Sequence, residues 1–512
     1  MTKDNIFALS VFIAICVAFV AWGYSYVASE NFLIFLVVAV FGIFMAFNIG
    51  GNDVANAFGT SVGSRVLTLK QALIIAAIFE LSGAVFAGGE VTSTIRSGII
   101  DFPTGSVSPM QLVAVMISAL IAAGCWLFVA TKKGLPVSTT HAIVGGIVGG
   151  GITMGYFTLG GGSQEAFGMV KWGKIGDIAL SWVVSPLSGG VIAYFIYGYV
   201  KKFIVTPSLE LGAQLEQMRA ARKAYKAKMI EEITSKPQEE QLAELKAIVL
   251  SYEDSRSNHF KDTLKEMKEE EKRLEPLQHM KKHIPIIALI SAIIITSSLL
   301  IKGLKNLHLG FSTFTTLWLL FAIGVVAYVV SLAVLNIMKK SVPQKQINRI
   351  FGWFQIFTAS SFAFSHGAND IANAVGPFAA VLDVLKTGEL HANSPIPTFA
   401  MVVFGVALVA GLWFLGKEVI GTVAHKLANI HPTTGFSAEL AASSVILAAT
   451  MLGLPISSTH VLIGAVLGIG LYNKDANWAM LKPIALAWVI TLPVAILGSS
   501  VAYIAISKAM GL

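Results

Sequence analysis

Long apolar runs, each about the length of a bilayer crossing, alternate with short polar breaks over most of this 512-residue chain. A membrane-spanning helix needs about 20 mainly apolar residues. Runs that meet the rule lie at 6–27, 32–50, 70–89, 110–130, 137–156 and 177–200. After a polar gap they resume at 284–302, 312–337, 350–366, 398–416, 437–453, 455–472 and 480–507. The runs opening at Val137 and Ile456 read equally well as re-entrant, so the pattern predicts about 12 spans in an all-α polytopic membrane protein. Ile6 to Tyr26 lacks a basic leader and a small-residue cleavage site, and reads as the first span and not as a signal peptide.

The gap divides the chain into a first membrane repeat (1–200), a charged helical linker (201–283) and a second membrane repeat (284–512). The linker holds 17 Lys/Arg and 15 Asp/Glu, with heptad-like apolar positions at Leu209, Leu215, Met218, Leu242, Leu245 and Val249. It reads as charged helices outside the membrane, with a partner-binding role as the alternative to a plain solvated linker. Basic residues mark the cytoplasmic side. Placing 201–283 there also puts Arg65, Lys132-Lys133 and Lys339-Lys340 inside, with Arg96, Lys171 and Lys386 on the other face.

Composition agrees with the pattern. Hydrophobic residues make up 55% of the chain and charged ones only 13%, against about 25% charged in soluble proteins, and the mean hydropathy is +0.72. With so many basic residues beside spans, the net charge of +8 gives no argument for nucleic acid. Cys16 and Cys125 both fall inside apolar runs, which argues against a disulfide framework.

Against this apolar background, two polar motifs recur. Gly50-Gly51-Asn52-Asp53-Val54-Ala55-Asn56-Ala57 returns 317 positions later as Gly367-Ala368-Asn369-Asp370-Ile371-Ala372-Asn373-Ala374. Gly134-Leu135-Pro136-Val137-Ser138-Thr139-Thr140-His141 returns 319 positions later as Gly453-Leu454-Pro455-Ile456-Ser457-Ser458-Thr459-His460. A weaker echo pairs Trp182 and Ser185 with Trp488 and Thr491. Same order at near-constant offset means a duplicated fold. An odd number of crossings between Asn52 and Asn369 makes the two repeats inverted, a pattern found in secondary transporters with a midplane site.

The motifs differ in electrical character. Asn52, Asp53, Asn369 and Asp370 offer hard oxygen ligands suited to a cation, and Asn56 and Asn373 follow on the same helical face. Neighbouring glycines would let the helix break there. Helix-gluing polar residues are the bland alternative. Ser138, Thr139, Thr140 and Ser457, Ser458, Thr459 put hydroxyls in the first turn after a proline, where a helix receives an oxyanion; simple N-capping is the alternative. His141 and His460 could join the site, relay protons or satisfy a carbonyl. Glu80 and Glu439 are intramembrane carboxylates and so functional candidates. No P-loop, HExxH or nucleophile elbow is present, which leaves an enzyme without support.

In combination, GGNDVANAFGTSVGSRVLTLKQA with IFELSG, HGANDIANAVGP, GLPVSTTH and GLPISSTH resemble the PiT family of inorganic phosphate transporters. The resemblance covers both membrane halves. It implies a symporter that imports inorganic phosphate on a cation gradient, with the Asn-Asp motifs forming cation sites. The Ser/Thr motifs and nearby Asn side chains, Asn56 and Asn373, would hold phosphate. Asn at position 52, where proton-coupled relatives tend to carry His, points to sodium. Proton-coupled phosphate or sulfate symport by the same fold is the alternative, and an anion channel the rival from another class. The expected partners are phosphate, co-transported sodium and the lipid bilayer of the cytoplasmic membrane, with no other cofactor, no nucleic acid and a homodimer left open.

Overall fold

Apolar sequence of this length folds in a bilayer as helix, because only the helix satisfies its own backbone. The computed structural model describes residues 3–101, 107–133, 137–253, 258–274, 277–298, 300, 311–338, 343–389, 391, 395–426, 430–476, 478–480, 482 and 486–512. Among these there is no strand, only an isolated bridge between Ile100 and Val170.

The helices run in order as α1 (Lys3–Tyr26), α2 (Phe32–Asn52), α3 (Val54–Gly63), α4 (Leu69–Ala87), α5 (Gly89–Ser97), α6 (Pro109–Lys132), α7 (Thr139–Thr158), α8 (Ser163–Gly168) and α9 (Trp172–Val200). Then come α10 (Thr206–Thr234), α11 (Gln238–Glu253), α12 (His259–Arg273), α13 (Gln278–Ser298), α14 (Thr313–Ile337), α15 (Pro343–Asp370) and α16 (Ala372–Thr387). The last are α17 (Thr398–Lys426), α18 (Pro432–Met451), α19 (Ser458–Asn473) and α20 (Leu492–Met510). Their starts follow local chemistry. Thr68 and Gln71 form a capping box at α4, and Ser108 and Gln111 another at α6, where Pro109 takes the first helical position.

Among the described residues, ten helices are long and apolar enough to cross a membrane. The protein is an all-α polytopic membrane protein. Several polar-motif helices are not among the ten. At 16 residues, α19 is about 24 Å long, short of the roughly 30 Å hydrocarbon core. The still shorter α3 and α5 have 10 and 9 residues.

The chain divides into two units. The larger comprises Met1–Gly198, Ser291–Ile323 and Ile350–Leu512; the other comprises Tyr199–Ile290 and Gly324–Arg349. In the second unit, Arg219 and Arg222 clasp the two oxygens of Glu271 at 2.8 and 2.5 Å. Of the heptad-like apolar positions there, Leu215 is buried, whereas Leu242, Leu245 and Val249 on α11 face outward.

In the first unit the core is made where helices meet with nothing between them. A Cβ on Gly50 of α2 would collide with the Leu408 carbonyl of α17, and one on Gly411 of α17 with the Phe47 carbonyl of α2. α4 and α15 cross in the same reciprocal way, Gly83 against the Phe364 carbonyl and Gly367 against that of Glu80. These glycines therefore serve close backbone approach. Gly50 and Gly367 themselves lie within helix, and the interruptions near them fall at Asp53 and Ile371.

Candidate functional site

Both Asn-Asp motifs stand at one-residue interruptions of a helix. Asp53 separates α2 from α3, and Ile371 separates α15 from α16. Both residues keep right-handed helical dihedrals. The backbone is therefore nicked and not unwound.

Asn52 and Asn369 do the same job twice. Asn52 Nδ2 donates to Thr131 Oγ1 at 3.0 Å, and its Oδ1 accepts from Val137 N–H at 3.2 Å. Asn369 Nδ2 donates to Thr450 Oγ1 at 3.0 Å, and its Oδ1 accepts from Ile456 N–H at 3.2 Å. Each asparagine thus staples the Asn-Asp helix to the chain just ahead of a Ser/Thr motif. The matching partners are themselves 319 residues apart, so the duplication seen in sequence is also a duplication of hydrogen bonds.

The two motif types converge. Asp53 Oδ1 accepts from Thr459 Oγ1 at 3.1 Å, and Asp370 Oδ2 from Ser458 Oγ at 3.1 Å. Asn373 Nδ2 reaches Thr139 and Thr140 hydroxyls at 3.2 Å each, and Thr140 in turn donates to the Ile456 carbonyl at 2.9 Å. Ser138 caps α7 by accepting from His141 N–H, while Ser457 starts α19 without a side-chain capping bond. His141 and His460 lie in the first turns of these helices with ring centroids 5.2 Å apart, and Trp182 meets His141 edge-on at 3.9 Å. All of these side chains are buried. The Asn56 side chain lies outside the described residues.

Sequence reasoning missed His366. Its Nδ1 is 2.8 Å from Glu80 Oε2, and its Nε2 lies 2.9 Å from Asp370 Oδ2 as an ion-pair contact. Asp53, His366 and Asp370 bring ligand-type atoms within 4.8 Å of one another. The signal was available: His366 is four residues before Asp370, which puts both on one helix face. Glu439 is the other surprise. It accepts from Thr60 Oγ1 at 2.5 Å, Ser61 Oγ at 2.8 Å, Gln355 Nε2 at 3.2 Å and Thr358 Oγ1 at 2.8 Å. It is a carboxylate caged by neutral donors. Arg96, placed on the non-cytoplasmic side by the charge pattern, is buried and paired with Asp383 at 2.6 Å.

The donor set suits a hard cation. The Asp53 and Asp370 carboxylates converge, and Asp370 Oδ1 and Asn373 Oδ1 are buried acceptors with no hydrogen-bond donor among the described residues. Both nitrogens of His366 face carboxylates, which leaves the ring poorly placed as a metal ligand and well placed as a hydrogen-bonding bridge.

The chain is similar to known proteins over most of its length. A protein of Mycobacterium bovis provisionally named a phosphate permease is 44% identical over 501 residues, covering 96% of this chain and 90% of its own. Inorganic phosphate transporter 2-1, chloroplastic, of Arabidopsis thaliana is 33% identical over 467 residues, 89% of this chain and 69% of its own. A solved structure described as the sodium-dependent phosphate transporter superposes with a TM-score of 0.72 at 30% identity, covering 93% of this chain and 99% of that one. The model of the PHO4 phosphate transporter family matches residues 49–499, nearly the whole membrane part including both pairs of motifs. The chain belongs to the PHO4 phosphate transporter family, a family of membrane transporters and not of enzymes.

Proposed function

We propose that this transporter is a sodium-driven symporter that carries inorganic phosphate across the cytoplasmic membrane by alternating access of two inverted repeats. Residues 201–283 would lie on the cytoplasmic side. One observation carries the reading: Thr459 and Ser458, from the oxyanion-type motif, donate their hydroxyls to Asp53 and Asp370, from the cation-type motif. The two halves of the site share atoms.

Coupling follows from that sharing. An oxyanion arriving alone meets two buried carboxylates that repel it and hold two of the donors it needs. A cation on those carboxylates neutralises them and competes for the oxygens that the hydroxyls bond. Ser458 and Thr459 are then free to turn toward phosphate, together with Ser138, Thr139, Thr140, Ser457 and Asn373. The oxygens of Asp53, Asp370 and Asn373 suit a hard cation such as sodium. Proton coupling is the second reading, and the Glu80–His366–Asp370 array is the observation behind it.

Uptake of labelled phosphate into proteoliposomes should require an inward sodium gradient. It should fall roughly 100-fold or more in Asp53→Asn or Asp370→Asn, as expected for removing one member of a buried charge cluster. Sodium-independent uptake that survives both substitutions sinks the reading. Uptake that follows an imposed pH gradient instead transfers it to protons, and strong competition by excess sulfate transfers the substrate.

A further inference from the structure

The segment that leads into α19 is held in an unusual way. Four consecutive carbonyls, those of Gly453, Leu454, Pro455 and Ile456, each accept one side-chain hydrogen bond from a different helix. Thr94 Oγ1 of α5 donates to Gly453 at 2.7 Å, and Asn369 Nδ2 of α15 to Leu454 at 3.1 Å. Trp182 Nε1 of α9 donates to Pro455 at 3.1 Å, and Thr140 Oγ1 of α7 to Ile456 at 2.9 Å. Gly453 itself is left-handed, with φ +65°, and closes α18 through Leu454 N–H to the Ala449 carbonyl at 2.9 Å.

A trans peptide is planar, with its C=O and N–H pointing in opposite directions. Tying a carbonyl to an outside donor therefore fixes where the following N–H points. The tie on Ile456 orients the Ser457 N–H, and the ties before it fix the path by which the chain arrives there. The N–H groups at the start of α19, which Ser457 does not cap with its side chain, are the ones an oxyanion would use. Asn369 and Thr140 already belong to the site. Thr94 and Trp182 do not, yet they hold the same strut.

We infer that Thr94 and Trp182 are positioning residues for the anion half of the site, acting through the carbonyls of Gly453 and Pro455 to aim the start of α19. Both come from the first repeat, so the first half of the chain takes part in aiming the motif of the second. Trp182 has a second hold, because its ring rests edge-on against His141 beside Thr139 and Thr140. The tryptophan echo in the sequence, which neither motif absorbs, gains a role at this position.

This inference rests on phosphate being the transported anion, and the test separates the two. Initial rates of labelled phosphate uptake are measured on the full chain in proteoliposomes at saturating sodium, for the parent, Thr94→Val, Thr94→Ser and Trp182→Phe. Loss of one neutral hydrogen bond to the strut should raise KM for phosphate about 3- to 10-fold in Thr94→Val and in Trp182→Phe. Maximal rate and sodium half-saturation should stay within about 2-fold. Thr94→Ser keeps the donor and should return KM to within about 2-fold of the parent. A purely structural role would instead lower the amount of folded transporter and leave KM alone. Unchanged KM in both variants, or Thr94→Ser as impaired as Thr94→Val, overturns the inference while parent uptake leaves the phosphate reading standing. Failure of the parent itself to take up phosphate removes both. If Trp182→Phe does not fold, the three Thr94 proteins decide the matter.

Discussion

The two Asn-Asp motifs share a skeleton and differ in charge. Asn52 and Asn369 make matching staples, each to a threonine hydroxyl and to an N–H ahead of a Ser/Thr motif. Around the second copy, however, His366 bridges Glu80 and Asp370, whereas the residue 317 positions before it is the buried Ile49. The two copies of the motif therefore match in what holds the backbone and differ in what carries charge. Two equal copies would suffice for a symmetric clasp. The buried His366 gives Asp370 an ionisable neighbour at 2.9 Å that has no counterpart at the matching position in the first copy, Ile49.

Making the second copy resemble the first is the most severe way to break this comparison. His366→Ile leaves Glu80 and Asp370 buried without their bridge, and should cost about 3–5 kcal/mol in thermal unfolding of the detergent-solubilised protein. Adding Glu80→Leu should recover part of that loss; a double variant no more stable than the single would mean that His366 is not what balances Glu80. The next largest effect is expected at Glu439, which ties α3, following the first motif, to α15, which carries the second. Glu439→Gln turns an amide toward hydroxyls that need an acceptor, and the same unfolding measurement should register roughly 1.5–3 kcal/mol. The mildest test sharpens the symmetric part. Asn52→Leu and Asn369→Leu should each cost about 1–2 kcal/mol, and the two losses should agree to within about 1 kcal/mol. A wide gap between them would show that the staples bear unequal loads.

The helical membrane fold and the convergence of the motifs were legible in the chain because both are local or repeated signals. Apolar runs announce spans one at a time, and a motif that returns at a constant offset announces its mate. His366 has no mate, so a search guided by repetition passes over it despite its helical spacing from Asp370. The Glu439 cage draws on Thr60, Ser61, Gln355 and Thr358, residues brought together only by packing and invisible to any periodicity. The burial of Arg96 against Asp383 was hidden for the same reason, since a basic residue near a helix end looks solvated until its partner is known. Apolar runs alone do not separate a spanning segment from a re-entrant one. Small residues kept the 455–472 run apolar, but as the 16-residue helix α19 it is too short to cross.

The reciprocal glycine crossings of α2 with α17 and α4 with α15 bear on how motion in this protein can be measured. Where carbonyl meets Cα with no side chain between, neither helix can slide or tilt against its neighbour without opening a gap that acyl chains cannot fill well. Each crossing is thus a built-in ruler of fixed length. Spectroscopic labels flanking one crossing supply a reference distance against which displacements elsewhere, across the nicks at Asp53 and Ile371, can be read when phosphate is added.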